Sequence, residues 1–285
     1  MNSEKIAILI DSCTDVPKEY IDKYNMYTLP LLINYSDGEY RDGIDITAQE
    51  VYERFSTEIP KTSLPNMGII QDTFKKIIED GYNKILAITI SSGLSGTFNA
   101  VRMVAEEVTE AEVFMLDTKN IGIGAGFTPI LAGELIEKGL SFDEIKEKLI
   151  KSVEDTKIYF CVETLEYLRK GGRIGLVSSV LGTTLNLKPI ISCNEDGIYY
   201  TVSKARGRKK SLSKALEHAK SIADKYSKYN VAVVHGNAKE EADALVKEIK
   251  ETFPNVEKIF EGQISPALVV HTGPGLIGIG IQGLE

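Results

Sequence analysis

Three short, continuously apolar runs, each closing on polar residues, constrain the fold of this chain more than anything else in it. They are residues 5–12 (KIAILIDS), 84–91 (KILAITIS) and 112–118 (EVFMLDT). Runs of this length without alternation are what strands buried on both faces require. Helix-period stretches lie around them, near residues 47–57, 66–80, 97–108 and 122–138. Alternation of this kind predicts a parallel sheet with helices on both faces. Ligands of such sheets bind beyond the carboxyl ends of the strands, so the loops after Ile10, Ile90 and Leu116 are the places to look.

The second half reads differently. A charged helix over residues 141–155 precedes strands near 158–162, 189–193, 197–203, 230–235, 258–261, 267–272 and 276–281. Asn194-Glu195-Asp196-Gly197 has hairpin-turn chemistry, which implies antiparallel pairing. Amphipathic helices near 209–228 and 239–252 are expected to cover a single face. A chain of 285 residues is long enough for two cores, and the change of pattern places the boundary near residue 157. The expected domains are therefore 1–157 and 158–285.

The formal charge of −8 opposes binding to nucleic-acid phosphates or anionic membranes, and Arg206-Gly207-Arg208-Lys209-Lys210 is the one basic run. Cys13, Cys161 and Cys193 are odd in number, far apart and form no C-x-x-C pair. That argues against a disulfide framework or structural zinc and fits a reducing compartment. The apolar run Ile6 to Ile10 is too short for a signal peptide, and nothing approaches the roughly 20 residues of a spanning helix. The expectation is a cytoplasmic protein with no nucleic-acid partner, no membrane span and no metal.

The segment with most chemistry in it is ITISSGLSGTFNA, residues 88–100. A strand runs into Ser91-Ser92-Gly93-Leu94-Ser95-Gly96-Thr97 and then into an amphipathic helix. Hydroxyls and glycines at a helix start aim O–H and N–H groups at an anion. Simple helix capping is the plainer reading, but glycines on both sides of Leu94-Ser95 at a strand's carboxyl end favour a ligand site. A second hydroxyl cluster, Thr62 and Ser63, precedes Pro65, which holds Leu64 out of the helical region. Asn66 is then the expected cap of the following helix. Ser95 as a nucleophile lacks the full G-x-S-x-G elbow, because Thr97 stands where the second glycine belongs. Of the histidines, His218 reads as a solvated residue of a charged helix, while His235 and His271 each end an expected strand. Gly278-Ile279-Gly280-Ile281-Gln282-Gly283 matches a dinucleotide fingerprint by letter only, since no helix follows it.

Together, Ile10-Asp11-Ser12-Cys13-Thr14-Asp15, Thr62-Ser63-Leu64-Pro65-Asn66, SSGLSGTFNA from Ser91, LEYLRKGGRIG from Leu165 and HTGPG from His271 resemble the DegV family. The five motifs occur in order and span essentially the whole chain. The resemblance implies a three-layer α/β/α domain with hydroxyl-rich ligand loops and a mainly parallel sheet. A second α+β domain with a mixed sheet would close the ligand cleft. It also implies a carrier, not an enzyme, that binds a long-chain fatty acid without any other cofactor. The carrier would present the carboxylate to a fatty acid kinase subunit resembling dihydroxyacetone kinase, giving acyl phosphate for phospholipid synthesis. The family's carboxylate contacts fall on Thr62 and Ser95, with Ser63, Ser92 and Gly96 beside them. The family's first hydroxyl motif usually ends in serine, and Asn66 departs from that. His271, Arg206 and Arg173 are further candidate anion contacts. The basic residues equally suit a solvated helix start or a kinase-docking surface.

The physics of burial suits this assignment. An ionised carboxylate in an apolar cavity must be hydrogen-bonded, and each bond from a hydroxyl or N–H contributes about 1.5–3 kcal/mol. The tail contributes more: at about 0.8 kcal/mol per methylene, roughly fourteen of them give on the order of 11 kcal/mol before ordering costs. The small-residue-rich stretch 121–136 (IGIGAGFTPILAGELI) suits either the border of a narrow channel or a tightly packed core helix. The main rival is a serine-dependent acyl hydrolase or transferase using Ser95 with His271 or His235. A third reading is a module for some other small anion.

Overall fold

The computed structural model describes residues 2–180 and 186–284. The first half runs β1 (Ile6–Asp11), α1 (Lys18–Tyr24), β2 (Tyr27–Leu29), β3 (Leu32–Tyr35), β4 (Gly38–Arg41), α2 (Ala48–Arg54) and β5 (Lys61–Ser63). It continues through α3 (Met67–Glu79), β6 (Lys84–Thr89), α4 (Thr97–Ala105), β7 (Glu112–Asp117), α5 (Ile123–Glu137) and α6 (Phe142–Glu154). The second half begins with β8 (Thr156–Cys161), α7 (Glu166–Lys170), β9 (Leu187–Cys193), β10 (Tyr199–Arg206) and α8 (Arg208–Ala223). It ends with β11 (Lys228–Gly236), α9 (Lys239–Thr252), β12 (Val256–Gln263), α10 (Pro266–Thr272) and β13 (Leu276–Leu284).

The three apolar runs become β1, β6 and β7, which join β2 in a parallel sheet of order β2-β1-β6-β7. Side chains alternate across a strand, so each run feeds two cores. Ala7, Leu9, Ile85 and Ala87 pack with Ile70, Phe74 and Ile77 of α3 and Val101 and Val104 of α4. Ile8, Ile10, Leu86 and Ile88 point the other way, into the cluster that holds Ile123, Phe127 and Ile130 of α5. That is the three-layer arrangement, and it explains why these strands contain no polar alternation.

The second sheet has the order β10-β9-β8-β13-β11-β12, with β11 and β12 parallel and the other pairs antiparallel. One face, including Tyr159, Cys161, Val231, Val233 and Ile279, is covered by α8 and α9. The opposite face, including Ile158, Phe160, Ala232 and Val234, packs toward α5 and the first half. The turn 194–197 closes the β9–β10 hairpin, and its tip reaches the first half, where buried Ser91 donates to the Gly197 carbonyl at 2.9 Å. A small antiparallel sheet, β4-β3-β5, carries Thr62 opposite Ile33.

Two expectations need correction. Residues 267–272 form helix α10, not a strand. Val269 and Val270 gave the segment its strand-like look, but Ser265 at the cap and Pro266 at the first helical position are helix-start chemistry, and burial of both valines outweighs their modest helix penalty. His218 is not a solvated residue: its Nε2 pairs with Ser203 Oγ at 2.8 Å and its ring stacks on Tyr159.

Helix α5 approaches its neighbours so closely that its glycines are needed as spacers. A Cβ on Gly126 would lie 2.3 Å from the Thr14 carbonyl oxygen, a backbone atom that cannot swing aside. Gly126→Ala is therefore expected to destabilise the protein by about 1–3 kcal/mol despite alanine's better helix propensity. Gly68→Ala, in the first turn of α3 with nothing nearer than 3.4 Å, should be neutral or slightly stabilising. Urea midpoints of the two variants check this, and equal midpoints would show that the close approach has no energetic weight.

Candidate functional site

The carboxyl ends of β1 and β6, the strand β5 and helix α10 converge on one region. The Ser91–Gly96 turn follows β6 and leads into α4. Its cap residue, Gly96, has no side-chain bond to offer. Ser95 fills part of that role: its Oγ accepts from Thr97 N at 3.3 Å and pairs with the buried Thr97 hydroxyl at 2.8 Å. If the Thr97 hydroxyl donates, the Ser95 hydrogen is left free to donate outward.

Thr62 lies on β5, with Oγ1 2.6 Å from His271 Nε2, a bond that spans 209 positions of sequence. His271 Nδ1 is buried and has no hydrogen-bond partner among the described residues. Gly171 abuts it so closely that a Cβ there would come within 2.1 Å of that nitrogen. Burial, and secondarily the charge of Arg173, push the His271 imidazolium down to a pKa of about 3, so the ring is neutral. A proton on Nδ1 would be a buried N–H with no acceptor, whereas a proton on Nε2 has Thr62 Oγ1 to receive it. The favoured tautomer therefore carries its proton on Nε2 and donates to Thr62 Oγ1, leaving the Thr62 hydrogen directed elsewhere.

Arg173 connects this pair to the serine turn. Its Nε donates to the Leu94 carbonyl at 3.3 Å and its Nη1 to the Gly171 carbonyl at 2.7 Å. Leu64, two residues after Thr62, lies 3.2 Å from where a Gly96 Cβ would be. Ser92, Ser95, Gly96, Gly172 and Arg173 line a surface pocket of about 290 Å³. An apolar cavity lies deeper, lined by Ile121, Gly122, Ile123, Ile158, Phe160, Tyr199, Leu268 and Thr272 among others. Its volume is about 30 Å³, comparable to one water's share of the liquid. The start of the 121–136 stretch thus borders a cavity, while most of its remainder packs in the core.

The structure separates the remaining sequence candidates. Ser63 neighbours Thr62 on a strand and so points to the opposite face, where its Oγ accepts from Asn34 Nδ2 at 3.0 Å. Ser92 lines the pocket but is tied to Asp117 through its N–H at 3.2 Å and to Lys119 through its hydroxyl at 3.4 Å. Arg206 is exposed at the end of edge strand β10, opposite Leu187, and lines neither cavity. The basic run does not act as one patch, because Arg208 is ion-paired with Glu241 at 2.8 Å. Asn66 caps α3 by accepting from Ile69 N at 2.9 Å. The hydrolase constellation is not assembled: Ser95 pairs with Thr97, His271 pairs with Thr62, and His235 Nδ1 faces Ala238 N at 3.5 Å.

Sequence reasoning missed the carboxylates behind the site. Asp11 and Asp42 are buried, and Asp15 is half-buried with its Oδ2 sealed from solvent. Burial raises the pKa of Asp11 to about 7 and of Asp15 to about 8, and Asp42 shifts upward for the same reason. Asp11 accepts from Ile90 N at 2.8 Å and Cys13 N at 2.9 Å, tying the end of β1 to the end of β6. The signal available was Asp11 closing a strand that is otherwise wholly apolar, with Asp15 in the turn just beyond it. All three cysteines are buried and free. Among the described residues, no helix is long and apolar enough to cross a membrane, and no cluster of His, Cys, Asp or Glu is suited to a metal.

Comparison with known proteins now bears on this geometry. A DegV family model matches residues 5–283. A DegV domain-containing protein of Clostridium perfringens is 44% identical over 279 residues, covering 98% of this chain and 99% of the relative. One from Clostridium acetobutylicum is 43% identical over 277 residues, covering 97% and 98%. Among solved structures, a fatty-acid-binding DegV family protein from Thermus thermophilus superposes with a TM-score of 0.92, at 28% identity and full coverage of both chains. A stearic-acid-binding protein from Eubacterium ventriosum superposes with a TM-score of 0.89, at 31% identity over 98% of each chain. The match runs nearly end to end, and this chain belongs to the DegV family.

Proposed function

We propose that this protein binds one long-chain fatty acid, with its carboxylate held by Thr62 and Ser95 and its tail in the apolar cavity beside α10. The carboxylate would then be presented to a separate kinase subunit for conversion to acyl phosphate, the carrier itself performing no chemistry. The bond from Thr62 to a neutral His271 carries the reading. With each hydroxyl accepting from behind, Thr62 from His271 and Ser95 from Thr97, both O–H hydrogens can be given to one anion. Arg173 adds a fixed positive charge at the rim of the polar pocket, which opens to the surface where a partner can reach the head group. Fatty acids bound by structural relatives at 28% and 31% identity support the ligand class. The kinase step and its partner rest on family resemblance.

The cavity is far smaller than a long acyl chain. A tail must therefore enter by displacing lining side chains such as Ile121, Leu268 and Leu276. Burial at about 25 cal/mol per Å² of apolar surface has to offset that repacking, which lowers net affinity below the gross transfer value.

Mass spectrometry of the protein as purified, before and after denaturing organic extraction, tests the ligand class. An extracted long-chain fatty acid in roughly equimolar amount is expected; failure to bind added palmitate after delipidation would overturn the reading. Thr62→Ala combined with Ser95→Ala removes two bonds to a charge of about 1.5–3 kcal/mol each, so palmitate affinity should fall about 100-fold or more. Acyl phosphate formation with a cognate kinase should be abolished in a variant that still folds, its urea midpoint lowered because Ser95 helps cap α4 and Thr62 satisfies His271; unchanged turnover would count against these two residues.

The protonation state of His271 supplies a separate check. Its folded pKa lies below its unfolded one, so the native state resists a proton that the unfolded chain accepts. Stability from this residue is present above pH 6.5 and is lost progressively as pH falls toward about 3. In an imidazole NMR titration His271 should stay neutral at pH 5, and an ordinary midpoint near 6.5 would remove the neutral donor from the scheme.

A further inference from the structure

Helix α10 meets both ends of the proposed ligand: Leu268 and Thr272 line the tail cavity, and His271 bonds Thr62. Its amino end has no capping side chain of its own, since Ser265 makes no such bond. Carboxyl oxygens from the first half of the chain take its N–H groups instead. Asp42 Oδ1 accepts from Ala267 N at 2.9 Å, and Asp15 Oδ1 accepts from Ser265 N at 3.2 Å. Asp42 is held in turn by the Ser12 hydroxyl at 2.6 Å, and Ser12 Oγ accepts from Leu31 N at 3.0 Å. The second oxygen of Asp15 and the Leu268 side chain both face Gly122, and Gly122 and Leu268 line the cavity. Pro266 cannot donate, so these two bonds take up the N–H groups that flank it.

We propose that Asp42 and Asp15 are positioning residues for ligand binding: by clamping the start of α10 onto the strand β1 end, they set the height of His271 over Thr62 and the width of the tail cavity. The geometric reason is that α10 has only seven residues. At 1.5 Å rise per residue, any shift at its first turn is carried undamped to His271 about 8 Å away. The inference rests on the fatty-acid reading for its binding readout, but not for its effect on His271.

The test is Asp42→Ala and Asp42→Asn in the full chain, with palmitate as the probe and the His271 imidazole ¹⁵N shifts as a second signal. Asp42→Ala should weaken palmitate at least tenfold and move the His271 shifts. Asp42→Asn retains an acceptor for Ala267 N and should restore affinity to within about threefold of wild type. A variant that merely unfolds at lower urea, with unchanged affinity and unchanged His271 shifts, overturns the proposal. Should Asp42→Ala not fold, Asp15→Ala, which removes only the longer bond, is read against the same two outcomes. Wild-type protein that binds no palmitate would sink the fatty-acid reading alone, leaving the His271 shifts to decide the clamp.

Discussion

The structure depends on the burial of one helix that is apolar around nearly its whole circumference, Glu134 and Glu137 near its carboxyl end excepted. Helix α5 places Ile123, Phe127, Ile130 and Leu135 in the core and has glycines where it meets the backbone of Thr14 and the ring of Tyr24. A helix apolar around its whole circumference must be covered on every side. Here the parallel sheet covers one side and the mixed sheet the other, so α5 is the common core of both halves. Each sheet would otherwise expose an apolar face. The halves are held together by a hydrophobic layer, and the polar contacts across it, such as Ser91 to Gly197, set register more than affinity.

That layer also explains where a ligand site can exist. Packing around α5 loosens at its amino end, where Ile121, Gly122 and Ile123 meet Leu268 and Tyr199, and the apolar cavity lies there. The carboxyl ends of β1 and β6 lie side by side in the sheet, and Asp15, just beyond β1, faces Gly122 at the cavity wall, while the hydroxyl turn after β6 lines the separate polar pocket. Hydroxyls there rather than lysines have a physical logic: a cation buried without a permanent partner is costly, whereas a hydroxyl bonded to His271 or Thr97 is satisfied in either circumstance.

Much of this was legible in the sequence. The apolar runs ending at Asp11, Ser91 and Thr118 announced buried parallel strands, and the hydroxyl-and-glycine turn announced the strand-to-helix junction between β6 and α4. The 194–197 hairpin and the Asn66 cap were readable because turns and caps are local chemistry. Helix α10 was misread because Val269 and Val270 favour strands in isolation, and only tertiary burial reverses the preference. Sheet β4-β3-β5 went unread because its strands are three or four residues long and carry polar residues such as Asn34, Glu39 and Lys61, leaving no clear period. The pairing of Thr62 with His271, and of Asp42 with Ala267, joins residues more than 200 positions apart, which no local pattern encodes.

These two long-range pairings share a property that the legible features lack: each crosses between the halves. A motif within one half is selected by local geometry, so its residue types reveal it. A contact across the interface depends on how two cores settle against α5, and a single aspartate or histidine is enough to make it. Of the hydroxyls in the proposed head-group site, Ser95 is held by its neighbour Thr97, but Thr62 is held from the other half by His271, whose helix Asp42 reaches across to hold. Binding in such a site is therefore sensitive to the packing between halves in a way that the hydroxyl motifs alone do not reveal.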